Sequence, residues 1–236
     1  MRVAVFGANG PTGRLLVAQL AQAGSDVVAI TRRPAALHRE VQAIDGAGSV
    51  DVVQADVFDP SAVAAALAGT DTVLSVLGVP FTGKRVDTFS VGTAAIVHGM
   101  RNAGIRRLAV VSSTGAHHYR NRQDASLSLK LFEPVISHTI GRTVYADMRR
   151  MEDIVTGSGL DWTIVRPSTL FDAARVSDYV AGEVAPVGAF TARIDLAHYL
   201  CGVARDPASI GTVPIISTVD DTPTFLENMK REAFAR

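Results

Sequence analysis

The chain has 236 residues, 23 Lys+Arg against 23 Asp+Glu, and a formal net charge of +0. That length suits a single sizeable α/β domain with a small appended lobe, and the balanced charge leaves no basic face of the kind that binds nucleic acid. A single cysteine, Cys201, excludes an intramolecular disulfide and any cysteine-cluster metal site, so no metal is expected. No signal peptide is read, because structure is expected to begin at Arg2, and no apolar run reaches membrane-spanning length. The expectation is a soluble, cytoplasmic protein with no membrane partner.

In chain order, Val3-Ala4-Val5-Phe6 reads as a buried strand, and Leu15, Leu16, Ala18, Leu20 and Ala21 recur at helical spacing. Between them stands Gly7-Ala8-Asn9-Gly10-Pro11-Thr12-Gly13. Strand, glycine turn and helix in this order form a site for a dinucleotide pyrophosphate: the turn lets backbone approach the phosphates, and the positive end of the helix dipole faces them. Pro11 falls where the helix begins, where a missing N–H costs nothing.

Further strands are expected at Asp26–Thr31, Val50–Gln54, Thr72–Val76, Leu108–Ser113, Trp162–Arg166 and about Val213–Ser217. Helices are expected near Thr12–Ala23, Ala35–Ala43, Ser61–Ala68, Thr88–Ala103, Thr143–Gly157 and Asp195–Arg205. This alternation predicts a Rossmann-type doubly wound parallel sheet with helices on both faces. The second strand ends in Thr31-Arg32-Arg33-Pro34. A site for the unphosphorylated nucleotide wants a carboxylate there for the ribose; two guanidiniums instead suit a 2′-phosphate, the alternative being a solvated surface pair. NADP(H) is therefore the expected cofactor. Asp56 and Val57, beyond the third strand, can bond the adenine edge and pack its face. Asp59 serves as cap for the next helix. Leu77-Gly78 follows the fourth strand and lets the chain pass close to the cofactor, and Ser112-Ser113-Thr114 follows the fifth.

Two stretches break the alternation. Residues 115–142 begin with His117, His118, Tyr119 and Arg120, and residues 168–193 are rich in small side chains. Both leave carboxyl ends of strands, where ligands bind in an open α/β sheet, and are candidates for a small substrate lobe. The alternative is a pair of long surface loops. Cys201 lies in an apolar helical pattern with Leu196, Ala197, Leu200 and Val203, and reads as a buried thiol.

Gly-Ala-Asn-Gly-Pro-Thr-Gly, Asp56-Val57, Val111-Ser112-Ser113 and the run from Gly159 through Trp162 to Arg166-Pro167 resemble the atypical short-chain dehydrogenase/reductases, in particular their NmrA-like and biliverdin-reductase-B-like NAD(P)H-binding group. The resemblance runs from Met1 to about Arg205. It implies that Arg166 and Pro167 border the nicotinamide. Asp195, near the start of a later helix, reads as an acid favoured by the dipole rather than as a ligand.

The departure is in the chemistry. Typical short-chain reductases use a Tyr-x-x-x-Lys pair, and none exists in this chain, whose lysines are Lys84, Lys130 and Lys230. Tyr145, with Arg149 four residues on, is the nearest relic; it is either an acid or a helix-face aromatic. Ser113 either donates to a developing oxyanion or caps the turn after its strand. His117, His118 and His138 are alternative proton donors or surface histidines. The expected activity is NADPH-dependent hydride transfer to a small conjugated or carbonyl substrate: a quinone, flavin, linear tetrapyrrole, enone or ketone. A non-catalytic NADP sensor and an epimerase or dehydratase are the alternatives, and the protein is expected to be a monomer or homodimer.

Overall fold

The computed structural model describes residues 1–41, 44, 46–80, 82, 84–117, 119 and 141–224. Six helices are found among them: α1 (Pro11–Gln22), α2 (Pro34–Val41), α3 (Pro60–Ala66), α4 (Thr88–Ala103), α5 (Arg142–Thr156) and α6 (Arg193–Val203). The strands are β1 (Arg2–Phe6), β2 (Asp26–Thr31), β3 (Val50–Gln54), β4 (Thr72–Ser75), β5 (Arg107–Val111), β6 (Asp161–Pro167), β7 (Thr169–Phe171), β8 (Tyr179–Gly182), β9 (Phe190–Ala192) and β10 (Ile215–Thr218).

Among the described residues, the main sheet runs β3-β2-β1-β4-β5-β6-β10-β8. β1 pairs in parallel with both β2 and β4, so the chain reverses its direction of travel across the sheet at β1. That reversal opens a crevice at the carboxyl ends of β1 and β4, the place where this class of sheet takes ligands. Strand residues are apolar on both faces because both are covered. Val3 and Val5 pack with Leu16 and Leu20 of α1 and Leu196 and Leu200 of α6. Ala4 and Phe6 point the other way, toward Val63 of α3, Phe89 and Ile96 of α4 and Met151 of α5.

The sheet is mixed rather than wholly parallel, because β8 joins β10 antiparallel at one edge. Residues 168–193, expected to be irregular, hold three short strands, of which β7 and β9 form a separate parallel pair. β7 and β9 have three residues each, too few for a period-two pattern to stand out from its surroundings.

Candidate functional site

The glycine loop is shaped by close backbone contact. Gly7 sits at φ 82, and a Cβ there would lie 2.6 Å from the Val76 carbonyl oxygen. Gly10 N–H donates to the Gly7 carbonyl at 3.0 Å, closing the turn. A Cβ on Gly13 would run into the Gly7 oxygen and stand 2.8 Å from Ala8 Cα. No side chain other than hydrogen fits at either position. Pro11 occupies the first turn of α1, and Gly10 caps it without a side-chain bond. Among the described residues the N–H groups of Thr12 and Gly13 have no hydrogen-bond partner, so the amino end of α1 is open to an anion. Arg14, which the sequence reading overlooked, donates from Nε to the Asn9 carbonyl at 3.1 Å and from Nη2 to Asn9 Oδ1 at 2.9 Å. It holds the outer arm of the loop, and its place directly after the last glycine was the available signal. This cradle fits a dinucleotide pyrophosphate.

Beside it, β2 delivers Arg32 and Arg33 to the surface. The local backbone is pinned: Arg33 N–H donates to Thr31 Oγ1 at 3.2 Å, and Gln54 Nε2 donates to the Arg32 carbonyl at 3.4 Å. Among the described residues neither guanidinium has an ion-pair or hydrogen-bond partner. Asp56 Oδ1 accepts from Phe58 N–H at 3.1 Å, fixing the turn after β3. Asp59 caps α3 as expected, accepting from Ser61 and Ala62 N–H at 2.9 and 3.1 Å. Val57 is buried against α4, where Gly92 makes room: a Cβ there would come within 2.9 Å of Val57 Cγ2 and 3.3 Å of Leu77 Cδ1. Gly78 is exposed, and a Cβ on it would meet nothing within 4 Å.

A second cluster forms where β5 and β6 end. Ser112 N–H donates to the Val165 carbonyl at 2.8 Å, and Ser113 Oγ accepts from Gly115 N–H at 3.1 Å, so Ser113 does cap the turn. Its hydroxyl hydrogen stays available as a donor. Tyr145 lies across the same turn: a Cβ on Gly115 would be 2.5 Å from the tyrosine hydroxyl. Arg149 does not turn to Tyr145 but donates to the Ala116 carbonyl at 2.8 Å.

Beneath this turn lies Glu152 of α5, 6% exposed. Arg166 grips it from Nε to Oε1 at 3.0 Å and from Nη2 to Oε2 at 2.5 Å, and His117 Nε2 meets the same Oε2 at 2.8 Å. Arg166 Nη1 also donates to the Tyr119 hydroxyl at 3.2 Å. Burial raises the Glu152 pKa, but the bonds from His117 and Arg166, the nearby Ser112 hydroxyl and the Arg166 charge outweigh it and bring the carboxyl to about 2. Ser112 Oγ itself makes no hydrogen bond within reach among the described residues. Glu152, like Arg14, is a residue of the candidate site that sequence reasoning missed. Its signal was the helical face it shares with Tyr145 and Arg149, four and three residues apart in turn.

Pro167 follows Arg166 as a buried strand residue. Asp195 stands in the first turn of α6, as expected of an acid favoured by the dipole, and is also a fully buried tether: it accepts from Ser177 N–H at 2.8 Å, Ser177 Oγ at 2.7 Å and Thr218 Oγ1 at 2.6 Å. Burial pushes the Cys201 thiol up to about 12 against the pull of Arg205, as befits an inert thiol. His118, Arg120 and His138, with most of the 115–142 segment, lie outside the described residues. Among the described residues no group of three or more His, Cys, Asp or Glu could hold a metal ion, and no helix is long and apolar enough to cross a membrane.

A close-packed glycine turn, an open helix amino terminus and a sheet reversal together define the class, a Rossmann-type dinucleotide-binding α/β protein. The chain belongs to the NAD(P)H-binding family, whose model matches residues 7–207. It is 31% identical over 175 residues to the uncharacterized sugar epimerase YhfK of Bacillus subtilis, covering 72% of each chain. A (4-alkanoyl-5-oxo-2,5-dihydrofuran-3-yl)methyl phosphate reductase of Streptomyces griseus is 27% identical over 216 residues, 92% of this chain and 64% of that one. Against an uncharacterized protein of Mycobacterium tuberculosis, 28% identical over 171 residues, the chain spans only 15% of the relative's length. Among solved structures, the anaerobillin reductase ChuY of Escherichia coli O157:H7 has a TM-score of 0.71 at 22% identity, covering 95% of this chain and 100% of ChuY. That structural likeness shows the fold alone.

Proposed function

We propose that the chain is an NADPH-dependent oxidoreductase of the NmrA-like and biliverdin-reductase-B-like group, transferring hydride to a small conjugated or carbonyl substrate. The observation that carries this reading is the pair of guanidiniums, Arg32 and Arg33, without partners among the described residues, beside a glycine loop that admits no side chain. In this reading the Thr12 and Gly13 amides, with Gly7, Asn9, Gly10 and Pro11 shaping the loop, hold the pyrophosphate. Arg32 and Arg33 take the 2′-phosphate by paired N–H donation. Asp56 and Val57 receive the adenine, Leu77 and Gly78 run beside the cofactor's middle, and Ser112, Arg166 and Pro167 border the nicotinamide.

The bound cofactor supplies a hydride; the protein's task is to orient an acceptor and exclude water. Ser113 stands at the carboxyl rim with a free O–H for a developing oxyanion, and Tyr145 covers the same turn. The 168–193 segment, tied down through Asp195, gives the acceptor a wall. Reductase chemistry in the Streptomyces griseus relative supports reduction, and the sugar epimerase name of YhfK is the observation on the side of epimerisation.

The test mixes purified protein with NADPH and a panel of quinones, flavins, enones and ketones while the nicotinamide absorbance is followed. Acceptor-dependent oxidation is expected. Tight NADPH binding without oxidation across the panel would replace this reading with a nucleotide sensor.

A further inference from the structure

We propose that His117 is the proton donor of this site, held in its working orientation by Glu152 and Arg166. The proposal rests on the oxidoreductase reading and identifies the acid that takes the place of the missing Tyr-x-x-x-Lys pair.

The geometry is that of an imidazole backed by an oriented carboxylate. His117 Nε2 lies 2.8 Å from Glu152 Oε2, and the two side chains are 30% and 7% exposed, so the ring spans from a buried anion to the open rim. An ionised carboxylate only accepts, so Nε2 must carry a hydrogen toward it. Nδ1 has no hydrogen-bond partner among the described residues and is left to face a reacting atom. The turn that carries His117 is the one capped by Ser113: His117 N–H donates to the Thr114 carbonyl at 3.2 Å and Ala116 N–H to the Ser113 carbonyl at 3.2 Å. The oxyanion donor and the proton donor thus share one short hydrogen-bonded turn.

The groups around the ring act consistently. Glu152 faces it from α5 and is kept anionic by two bonds from Arg166 of β6. Arg149 is occupied by the Ala116 carbonyl, Tyr119 by Arg166, and Tyr145 packs on Gly115. Buried Ser112 lies next to the carboxylate. The carboxylate therefore fixes the ring through its Nε2 hydrogen and leaves Nδ1 on the open side.

Reduction of a quinone consumes one hydride and one proton. The hydride brings two electrons and the first hydrogen, and a carbonyl oxygen becomes anionic. The imidazolium Nδ1–H bond breaks as the O–H bond forms. Hydroquinone, oxidised dinucleotide and neutral imidazole result, and water at the exposed edge returns the proton to the ring.

The experiment compares native protein with His117→Gln and Glu152→Gln, using menadione as acceptor. His117→Gln is expected to lower kcat by about 100-fold, within the range of general-acid catalysis, with NADPH affinity and menadione KM unchanged. The native pH–rate profile should show a deprotonation step that this variant lacks. A second readout needs no turnover: long-range ¹H–¹⁵N spectra report the tautomer of each neutral histidine, and the His117→Gln spectrum assigns the relevant ring. Native His117 should carry its hydrogen on Nε2. In Glu152→Gln the anion that fixes the Nε2 hydrogen is gone, so the preference for the Nε2 tautomer should weaken and kcat should fall with it. A His117→Gln protein with native kcat and pH profile, or a native ring hydrogen on Nδ1, overturns the proposal. Native protein that neither binds NADPH nor oxidises it overturns the oxidoreductase reading itself, whatever the spectra show.

Discussion

Burial favours the neutral form of a carboxyl, yet Glu152 is held ionised with its pKa at about 2, against 4.5 for an ordinary glutamate. A depressed folded-state pKa contributes stability that is complete above the unfolded value and is lost as pH falls toward about 2. The difference corresponds to roughly 3 kcal/mol at neutral pH. Chemical denaturation of native and Glu152→Gln proteins should therefore give a stability gap that is wide at pH 7 and narrows steadily below pH 5; a gap independent of pH would contradict this account. Gly13→Ala meets a different obstacle, the Gly7 carbonyl, which belongs to the backbone and cannot swing away. That substitution should weaken NADPH by at least about tenfold, since the loop must open to admit it; unchanged affinity would show that the loop does not contact the nucleotide. The glycines and the arginine pair were legible because each occupies a fixed offset from a strand. Glu152 and Arg14 were not, because their partners, Arg166 and His117 for one and Asn9 for the other, emerge only once helix and loop are folded together.

At the scale of elements, α4 takes its cap from another helix. Asp87 precedes it without a side-chain cap bond, and the fully buried Asp147 of α5 instead accepts from Phe89 N–H at 2.8 Å, Ser90 N–H at 3.3 Å and the Ser90 hydroxyl. Asp147→Ala should cost about 2 kcal/mol in urea unfolding, because two helix N–H groups lose their acceptor together. Asp87→Ala should stay within about 0.5 kcal/mol of native. Equal losses would assign the cap to the wrong residue. Asp195 does comparable work for the 168–193 segment, and Asp195→Ala should make that segment the first site cut in limited proteolysis. The parallel strands and the helices were legible from apolar runs alternating with helical periodicity, and α4 lies where its pattern predicts. β7, β8 and β9 were not, since three or four residues carry too little pattern and their pairing depends on partners distant in the chain.

For the whole molecule, one covered sheet sets two clusters on its carboxyl rim. The glycine loop and Arg32–Arg33 lie at one, with the Ser113–His117–Glu152 group at the ends of β5 and β6 as the other. The fold explains why both gather there, since every βα connection of the parallel strands returns to that edge. The proposed function requires the glycine loop and the arginine pair to hold a 2′-phosphorylated nicotinamide dinucleotide. The decisive experiment is isothermal titration calorimetry of NADPH and NADH into native protein and into the Arg32→Ala/Arg33→Ala double variant. Native protein should bind NADPH at least about tenfold tighter than NADH, and the double variant should lose about 2 kcal/mol or more for NADPH alone, so that the two affinities converge. No binding of either nucleotide to folded native protein, or equal losses for both in the variant, would contradict the account.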